Sequence, residues 1–415
     1  MKMTDELTGL YNRDGFYCHA EKLLKEKKNI QYDVMCFHIK NFKFVNEILG
    51  IERGKEMLSE IGQSLLRKQW PNEVTGRMGG DHFGIMVPSI YGKEVVDYIL
   101  SLESIIKHNE NSPVYIEVGV YTVKDRETPI SMMYDRANIA RGSIEDNMLE
   151  KVAFFDEEQY QVMLYEQELC FQLPQALKNE EFFIMIQPQV DTEEKVLGGE
   201  ALVRWEHPSK GLMNPGEFVP CFEKNRLIVE VDKYVWESAC KQLRRWKDEG
   251  RGDLYLSINV SPIDFECIDV YQTLLSDVKK YGINSESLRV EITESTIMKN
   301  PVEQIKLIKR LRKAGFYVEM DDFGSGYSSF SMLKDIETDA VKLDMRFLGQ
   351  TTKQDRAEKI LIAIVNLVKE CSMLVIAEGV ETQEQVDFLK EIGCDVFQGF
   401  YFGRPKPVKE FEQML

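Results

Sequence analysis

Four acidic segments each end an apolar run in the C-terminal part of the chain: Glu200-Ala201-Leu202, Glu291-Ile292-Thr293-Glu294, Asp321-Asp322-Phe323-Gly324 and Ala377-Glu378-Gly379. Carboxylates gathered at strand ends repel one another unless cations hold them, so the pattern points to divalent metals and to chemistry on phosphate. Glu200, Asn259, Glu291 and Asp321 offer hard oxygen donors at four predicted strand ends, and Glu378 offers one more. Such a set suits Mg²⁺ or Mn²⁺ better than zinc, which softer ligands select. Asp322 follows Asp321 directly, so both can approach a pair of ions only if the chain turns there toward Gly324. Lys342 has an ordinary alternative as a strand lysine with its ammonium at the surface. Its place opposite the acidic cluster favours an electrostatic role in catalysis.

The elements that must carry these residues recur with one rhythm. Strand-like runs stand at Phe182–Gln187, Val196–Trp205, Leu254–Val260, Leu288–Ile292, Tyr317–Met320, Ala340–Leu343, Leu374–Ala377 and Val396–Phe402. Helical patterns separate most of them, including Glu230–Glu249, Val302–Lys313 and Ala357–Lys369. Strands alternating with helices over roughly 240 residues fit a modified (β/α)8 TIM-type barrel. The first two runs are too close for a crossover helix, so they predict a hairpin and one antiparallel strand. Upstream the rhythm differs, with a strand at Val34–Ile39, a helix at Ile51–Gln69, a hairpin around Gly79–Asp81 and a strand at Val114–Tyr121. That mixture predicts an α+β domain with a central antiparallel sheet. A charged helical pattern over Glu158–Lys178 lies between, giving domains at 1–157 and 171–415 and a helical linker at 158–170.

Lys plus Arg number 52 against 69 Asp plus Glu, a formal charge of -17. Such acidity argues against binding a nucleic-acid polymer or an anionic membrane, but not against a small nucleotide held through metals. There is no run of 18 apolar residues, and Met1-Lys2-Met3-Thr4-Asp5-Glu6 lacks the apolar centre of a secretory signal. The expectation is a cytoplasmic chain, with membrane attachment in a longer parent left open. The eight cysteines are scattered without a CxxC pair, which predicts reduced, mostly buried thiols.

Residues 199–205, Gly-Glu-Ala-Leu-Val-Arg-Trp, resemble the naming motif of the EAL family of cyclic-di-GMP phosphodiesterases. The resemblance continues through Gln187-Pro188, Asn259-Val260-Ser261, Glu291-Ile292-Thr293-Glu294-Ser295, Asp321-Asp322-Phe323-Gly324-Ser325-Gly326, Lys342-Leu343-Asp344, Ala377-Glu378-Gly379-Val380-Glu381-Thr382 and Gln398-Gly399. It implies two Mg²⁺ or Mn²⁺ ions on Glu200, Asn259, Glu291, Asp321, Asp322 and Glu378, with Asp321, Lys342 and Glu200 catalytic. It also places Gln187, Leu202, Arg204, Asp344, Glu381 and Gln398 around the nucleotide, and gives Glu294 the task of orienting the Asp322–Tyr327 loop. The implied reaction is metal-dependent opening of cyclic di-GMP to linear 5′-pGpG by an activated water. The alternative is a catalytically silent cyclic-di-GMP receptor signalling through a protein partner. A homodimer meeting near the Asp322–Tyr327 loop is also implied, and an upstream sensor domain is left open.

Residues 1–157 resemble a GGDEF domain, the cyclase family that makes cyclic di-GMP from two GTP molecules. The matching segments are 5–13, Asn41-Phe42-Lys43-Phe44-Val45-Asn46-Glu47, Gly50, Gly54 and Arg77-Met78-Gly79-Gly80-Asp81-His82-Phe83. Four positions depart from the active pattern: His38 and Lys40 replace strand aspartates, His82 replaces the hairpin glutamate, and Lys55 stands where an aspartate reads guanine. Trp70 and Glu73 occupy the usual Arg-x-x-Asp product-inhibition site. Imidazole and ammonium in place of hard carboxylates remove the charge that Mg²⁺ needs. The expectation is a degenerate domain without cyclase activity, serving either as a regulatory GTP site or as a scaffold.

Overall fold

The computed structural model describes residues 3–106, 114–144, 150–324, 336–344 and 354–415. Its contacts divide the chain into two units, Met1–Leu164 and Tyr165–Leu415. The division falls within one helix, Glu157–Lys178. Among its apolar residues Leu169 is buried, whereas Val162, Leu164 and Phe171 are exposed.

The first unit carries a six-stranded sheet in the order β1-β3-β4-β2-β5-β6, formed by β1 Tyr11–Asn12, β2 Tyr32–Lys40, β3 Val74–Gly79, β4 His82–Pro88, β5 Tyr115–Thr122 and β6 Val152–Phe154. Its centre is antiparallel as expected, while β1 and β6 pair in parallel at the two edges. The period of two along β2 sends Met35, Phe37 and Ile39 into one core with the helix Ile51–Arg67. Val34 and Cys36 enter a second core with Arg13–Glu26 and Ile130–Gly142. Gly79 and Gly80 turn the β3–β4 hairpin at φ 130° and 56°, where a side chain would be strained.

The second unit closes a barrel from β7 Phe182–Val190, β8 Val196–His207, β10 Tyr255–Asn259, β11 Leu288–Thr293, β12 Val318–Asp321, β13 Ala340–Asp344, β14 Leu374–Glu378 and β15 Val396–Gln398. A short β9, Gly211–Met213, extends β8 as a hairpin, and β16, Lys406–Pro407, pairs with β7. All barrel pairs are parallel except those of β7, which runs antiparallel to both β8 and β15. The eight predicted strands all form. The predicted run Val396–Phe402 overreaches, because the strand ends at Gln398 and the chain turns. There a Cβ on Gly399 would lie 2.1 Å from the Val380 carbonyl oxygen, so the turn packs too tightly for a side chain.

Strand ends are set by the helices that follow them. Ser261 caps Pro262–Cys267 in a capping box with Asp264, Thr293 caps Glu294–Lys299, and Thr382 caps Gln383–Glu391 with Gln385. A cap within a few residues of the last strand residue keeps each loop short, so Asn259, Glu291 and Glu378 are presented from stiff supports. Inside the barrel, Ala340, Ile376 and Val396 form an apolar plug with Leu197 and Tyr317. In register with Ala340, Glu319 accepts from Ser257 Oγ at 3.0 Å and Arg289 Nη1 at 3.0 Å. Arg289 in turn stacks over Tyr255, 3.3 Å from the ring centre.

Among the described residues no helix is long and apolar enough to cross a membrane. All eight cysteines are free, as expected, but only Cys36, Cys221, Cys240 and Cys394 are buried. Cys18, Cys267 and Cys371 are exposed, which corrects the expectation of mostly buried thiols.

Candidate active site

Lys342 is the residue around which the barrel mouth is organised. Its side chain is 1% exposed, so the surface-lysine alternative fails. The ammonium lies 2.6 Å from Glu378 Oε1, 2.9 Å from Glu291 Oε1, and 3.6 Å from both Glu200 Oε2 and Asp321 Oδ1. Four carboxylates from β8, β11, β12 and β14 thus converge on one cation from β13. Burial alone would favour the neutral amine, but these charges more than offset it and hold the lysine pKa well above its ordinary value.

The carboxylates divide by environment. Burial pushes Glu200 up, yet Lys342 and hydrogen bonds from Gln398 and Asn259 leave it below the usual range. Those bonds are Gln398 Nε2 to Oε2 at 2.7 Å and Asn259 Nδ2 to Oε1 at 2.8 Å. Glu291 is driven well up by burial and by the neighbouring charge of Glu200. Burial also raises Glu378, to about 8, against the pull of Lys342.

Two further groups sit at the strand ends. Trp236 Nε1 donates to the Asn259 carbonyl at 3.0 Å and fixes that end of β10. After Asp321 the chain breaks at Asp322, whose φ of 56° is the turn anticipated from the doublet, and the Asp322 N–H donates to Asp321 Oδ1 at 2.8 Å. Glu294 is buried and its Oε2 accepts from the Gly324 N–H at 3.1 Å. Residues 325–327, the remainder of the loop assigned to Glu294 and to dimer contact, lie outside the described residues.

Beside the cluster opens a cleft of about 350 Å³ lined by Gln187, Leu202, Asp344, Glu381, Gln398 and Phe400, with Glu200 and Glu378 on its inner wall. Five of the six expected nucleotide contacts therefore meet there. Arg204 does not line it. Alternation does put Arg204 on the inward side with Glu200, but it is buried and its Nη1 donates to the Val203 carbonyl at 2.7 Å. Phe400, half exposed on the cleft wall, was not singled out from the sequence. Its signal was hidden inside the overlong final strand. Gln189 was also missed; its Nε2 donates to Gln398 Oε1 at 2.7 Å and aims the Gln398 amide at Glu200.

The donor set fits divalent ions by its chemistry. Buried Glu291 receives no well-directed hydrogen bond on either carboxylate oxygen. Together with the carboxylates of Glu200, Asp321 and Glu378 it leaves more acidic groups than the one ammonium can neutralise. Among the described residues no three acidic, histidine or cysteine side chains are already arranged to hold an ion, because these carboxylates face Lys342.

The second unit matches the family model for the EAL domain over residues 172–405, more than half of the chain. The chain belongs to the EAL family. Ahead of the EAL domain, residues 2–148 match the model described as diguanylate cyclase, GGDEF domain, so the two stand in tandem. Signaling protein YkoW of Bacillus subtilis is 31% identical across 99% of this chain and 52% of its own length. The bifunctional diguanylate cyclase/cyclic di-GMP phosphodiesterase MucR of Pseudomonas aeruginosa is 29% identical across 99% of this chain and 61% of its own. The chain thus spans about half to three-fifths of these relatives. A solved structure described as "PaMucR Phosphodiesterase, c-di-GMP complex" is 35% identical over 59% of this chain and 99% of that one, with a TM-score of 0.56.

In the GGDEF domain His38, Lys40 and His82 lie close together. His38 and His82 stack with ring centres 5.2 Å apart. Buried Glu117 lies 3.5 Å from His38 Nε2, 3.4 Å from Lys40 Nζ and 3.2 Å from Arg141 Nη1. Burial, with Arg141 nearby, pushes His38 down to about 3, so the ring is neutral at physiological pH. Lys55 pairs with Glu52 at the surface, and Trp70 is buried against Tyr98.

Proposed function

We propose that the EAL domain hydrolyses cyclic di-GMP to linear 5′-pGpG with two Mg²⁺ or Mn²⁺ ions, and that the GGDEF domain does not make it. The observation that carries the reading is the buried Lys342 ammonium among Glu200, Glu291, Asp321 and Glu378, opening onto a cleft lined by Gln187, Leu202, Asp344, Glu381 and Gln398. The names of MucR and of its solved complex support the same substrate.

Glu200, Asn259, Glu291, Asp321, Asp322 and Glu378 would hold the ions, which supply charge neutralisation at the phosphate and an acidified water. Asp321 aligns the attacking water, and Lys342 offsets the charge growing on the non-bridging oxygens. Gln398 and Asn259 keep Glu200 ionised and fixed in direction. At the cleft rim the carboxylates of Asp344 and Glu381 suit the N–H edge of guanine, and Phe400 presents a ring face to a purine. In the first domain Lys40 and Arg141 flank Glu117, cationic surroundings that oppose a metal ion carrying GTP there.

Incubating the purified chain with cyclic di-GMP and Mg²⁺ or Mn²⁺ and separating products by chromatography tests the reading. The expected product is pGpG, and EDTA should abolish it. Tight binding of cyclic di-GMP without product under either metal would favour the silent receptor instead.

A further inference from the structure

Two thiols far apart in sequence meet on the side of the EAL domain. Cys170, on the helix Glu157–Lys178, and Cys221, on the helix Pro215–Lys224, bring their sulfurs to 3.2 Å across a separation of 51 residues. Other contacts hold this pair of helices at the same place: Cys221 Sγ donates to the Glu166 carbonyl at 3.1 Å, and Lys224 Nζ lies 3.4 Å from Glu166 Oε2. Cys170 is partly exposed and Cys221 is buried. One sulfur can therefore meet a small oxidant from solvent while the other waits behind it.

We propose that Cys170 and Cys221 form an oxidative modification site, closing an intrachain disulfide when the chain meets hydrogen peroxide. A disulfide needs its sulfurs at about 2.05 Å, so closure from 3.2 Å asks for a movement of roughly 1 Å. The Cys170 thiolate attacks the peroxide oxygen, giving a sulfenic acid and hydroxide. The Cys221 sulfur then attacks the sulfenic sulfur, and the oxygen leaves as water with the Cys221 proton. In sum two thiols lose two electrons, the peroxide bond is reduced, and two waters form.

The environment assigns the order of attack. Burial, reinforced by the Cys170 sulfur, pushes the Cys221 thiol up to about 12, which leaves partly exposed Cys170 to attack first; Cys221 gives up its proton only as it attacks the sulfenic sulfur beside it. Oxidation at Cys170 therefore has a partner already in contact, whereas exposed Cys18, Cys267 and Cys371 would stop at a sulfenic acid or pair between molecules. The bond would also restrain the helix that carries Glu223, whose Oε1 accepts from Ser261 Oγ at 2.7 Å, two residues beyond Asn259.

The test uses the whole chain, a few equivalents of hydrogen peroxide, alkylation of remaining thiols in denaturant, and peptide mass spectrometry without reductant. The expected result is a cross-linked peptide containing Cys170 and Cys221 that disappears with dithiothreitol, while titratable thiols fall from eight toward six. Cys170→Ser should abolish that peptide, and Cys371→Ser, at an exposed thiol, should leave it. Recovery of both Cys170 and Cys221 as alkylated thiols would overturn the proposal, as would Cys170 sulfinic acid beside free Cys221. The readout is covalent, so it stands or falls independently of whether the chain hydrolyses a nucleotide.

Discussion

Replacing Lys342 with methionine keeps most of the apolar stem of the side chain and removes its charge. At 3.6 Å and an effective dielectric of 20, the contact with ionised Glu200 is worth about 5 kcal/mol before desolvation. The net loss is bounded, because a carboxylate left without its cation can take up a proton instead. Glu200 is the one held ionised by Lys342, and bringing its ordinary value of 4.5 to pH 7 costs about 3 kcal/mol. That agrees with the roughly 3–5 kcal/mol found when one partner of a buried pair is removed. For a domain of this size the midpoint of thermal unfolding should fall by roughly 6–12 °C at pH 7. The sign with pH follows from the same proton. In the variant the folded pKa of Glu200 is raised, so stability is retained below its unfolded value and lost as pH rises through the folded one. The deficit should shrink by about 1.4 kcal/mol per unit as pH falls from 7 toward 5. Melting curves of parent and Lys342→Met in EDTA, followed by circular dichroism across that range, measure it. A variant that melts within about 2 °C of the parent at pH 7, or a deficit indifferent to pH, would mean that Lys342 does not hold the cluster together.

Glu200→Ala should lower turnover of cyclic di-GMP at least 10²-fold at limiting metal, because a donor that fixes both ion and phosphate is lost; near-parental turnover in a folded variant would remove Glu200 from the site. Buried Asp264 and partly buried Asp232 form a carboxyl pair, both raised by burial and then, for Asp232, by the charge of Asp264, which itself rises to about 6. Raised carboxyls cost stability as pH climbs from about 4 through 6, so Asp232→Asn should be neutral near pH 4 and raise the midpoint by roughly 3–6 °C at pH 8; an equal effect at both values would refute the shared proton. GTP with Mg²⁺ should yield neither cyclic di-GMP nor pGpG above a no-enzyme control, and either product would show that His38, Lys40 and His82 do not disable the first domain.

The barrel was legible because parallel strands buried on both faces read as short apolar runs, and several were punctuated by a polar end residue and a cap such as Ser261, Thr293 or Thr382. The edge strands β1 and β6 escaped notice for the opposite reason. Tyr11–Asn12 and Val152–Phe154 are too short for a period of two to register, and their parallel pairing depends on partners far along the chain.

Within the site, residue type announced which groups could bind a cation but not where they meet. Lys342 illustrates the gap: a lysine in Ala340-Val341-Lys342-Leu343-Asp344 is compatible with either face of a strand, and only closure of the barrel brings β8, β11, β12 and β14 around it. Arg204 illustrates a different one. Alternation puts it on the same side of β8 as Glu200, yet a period of two says nothing about height. β8 runs to His207, so Arg204 stands four residues beyond Glu200 and outside the cleft wall. Phe400 was lost for a complementary reason. Its apolar neighbours continue the pattern of β15, and the turn that throws it into the cleft rests on the close approach of Gly399 to Val380. A glycine inside an apolar run is thus ambiguous in sequence between a weak strand residue and a backbone contact, and here the second meaning moves an aromatic ring from the core to the cleft wall.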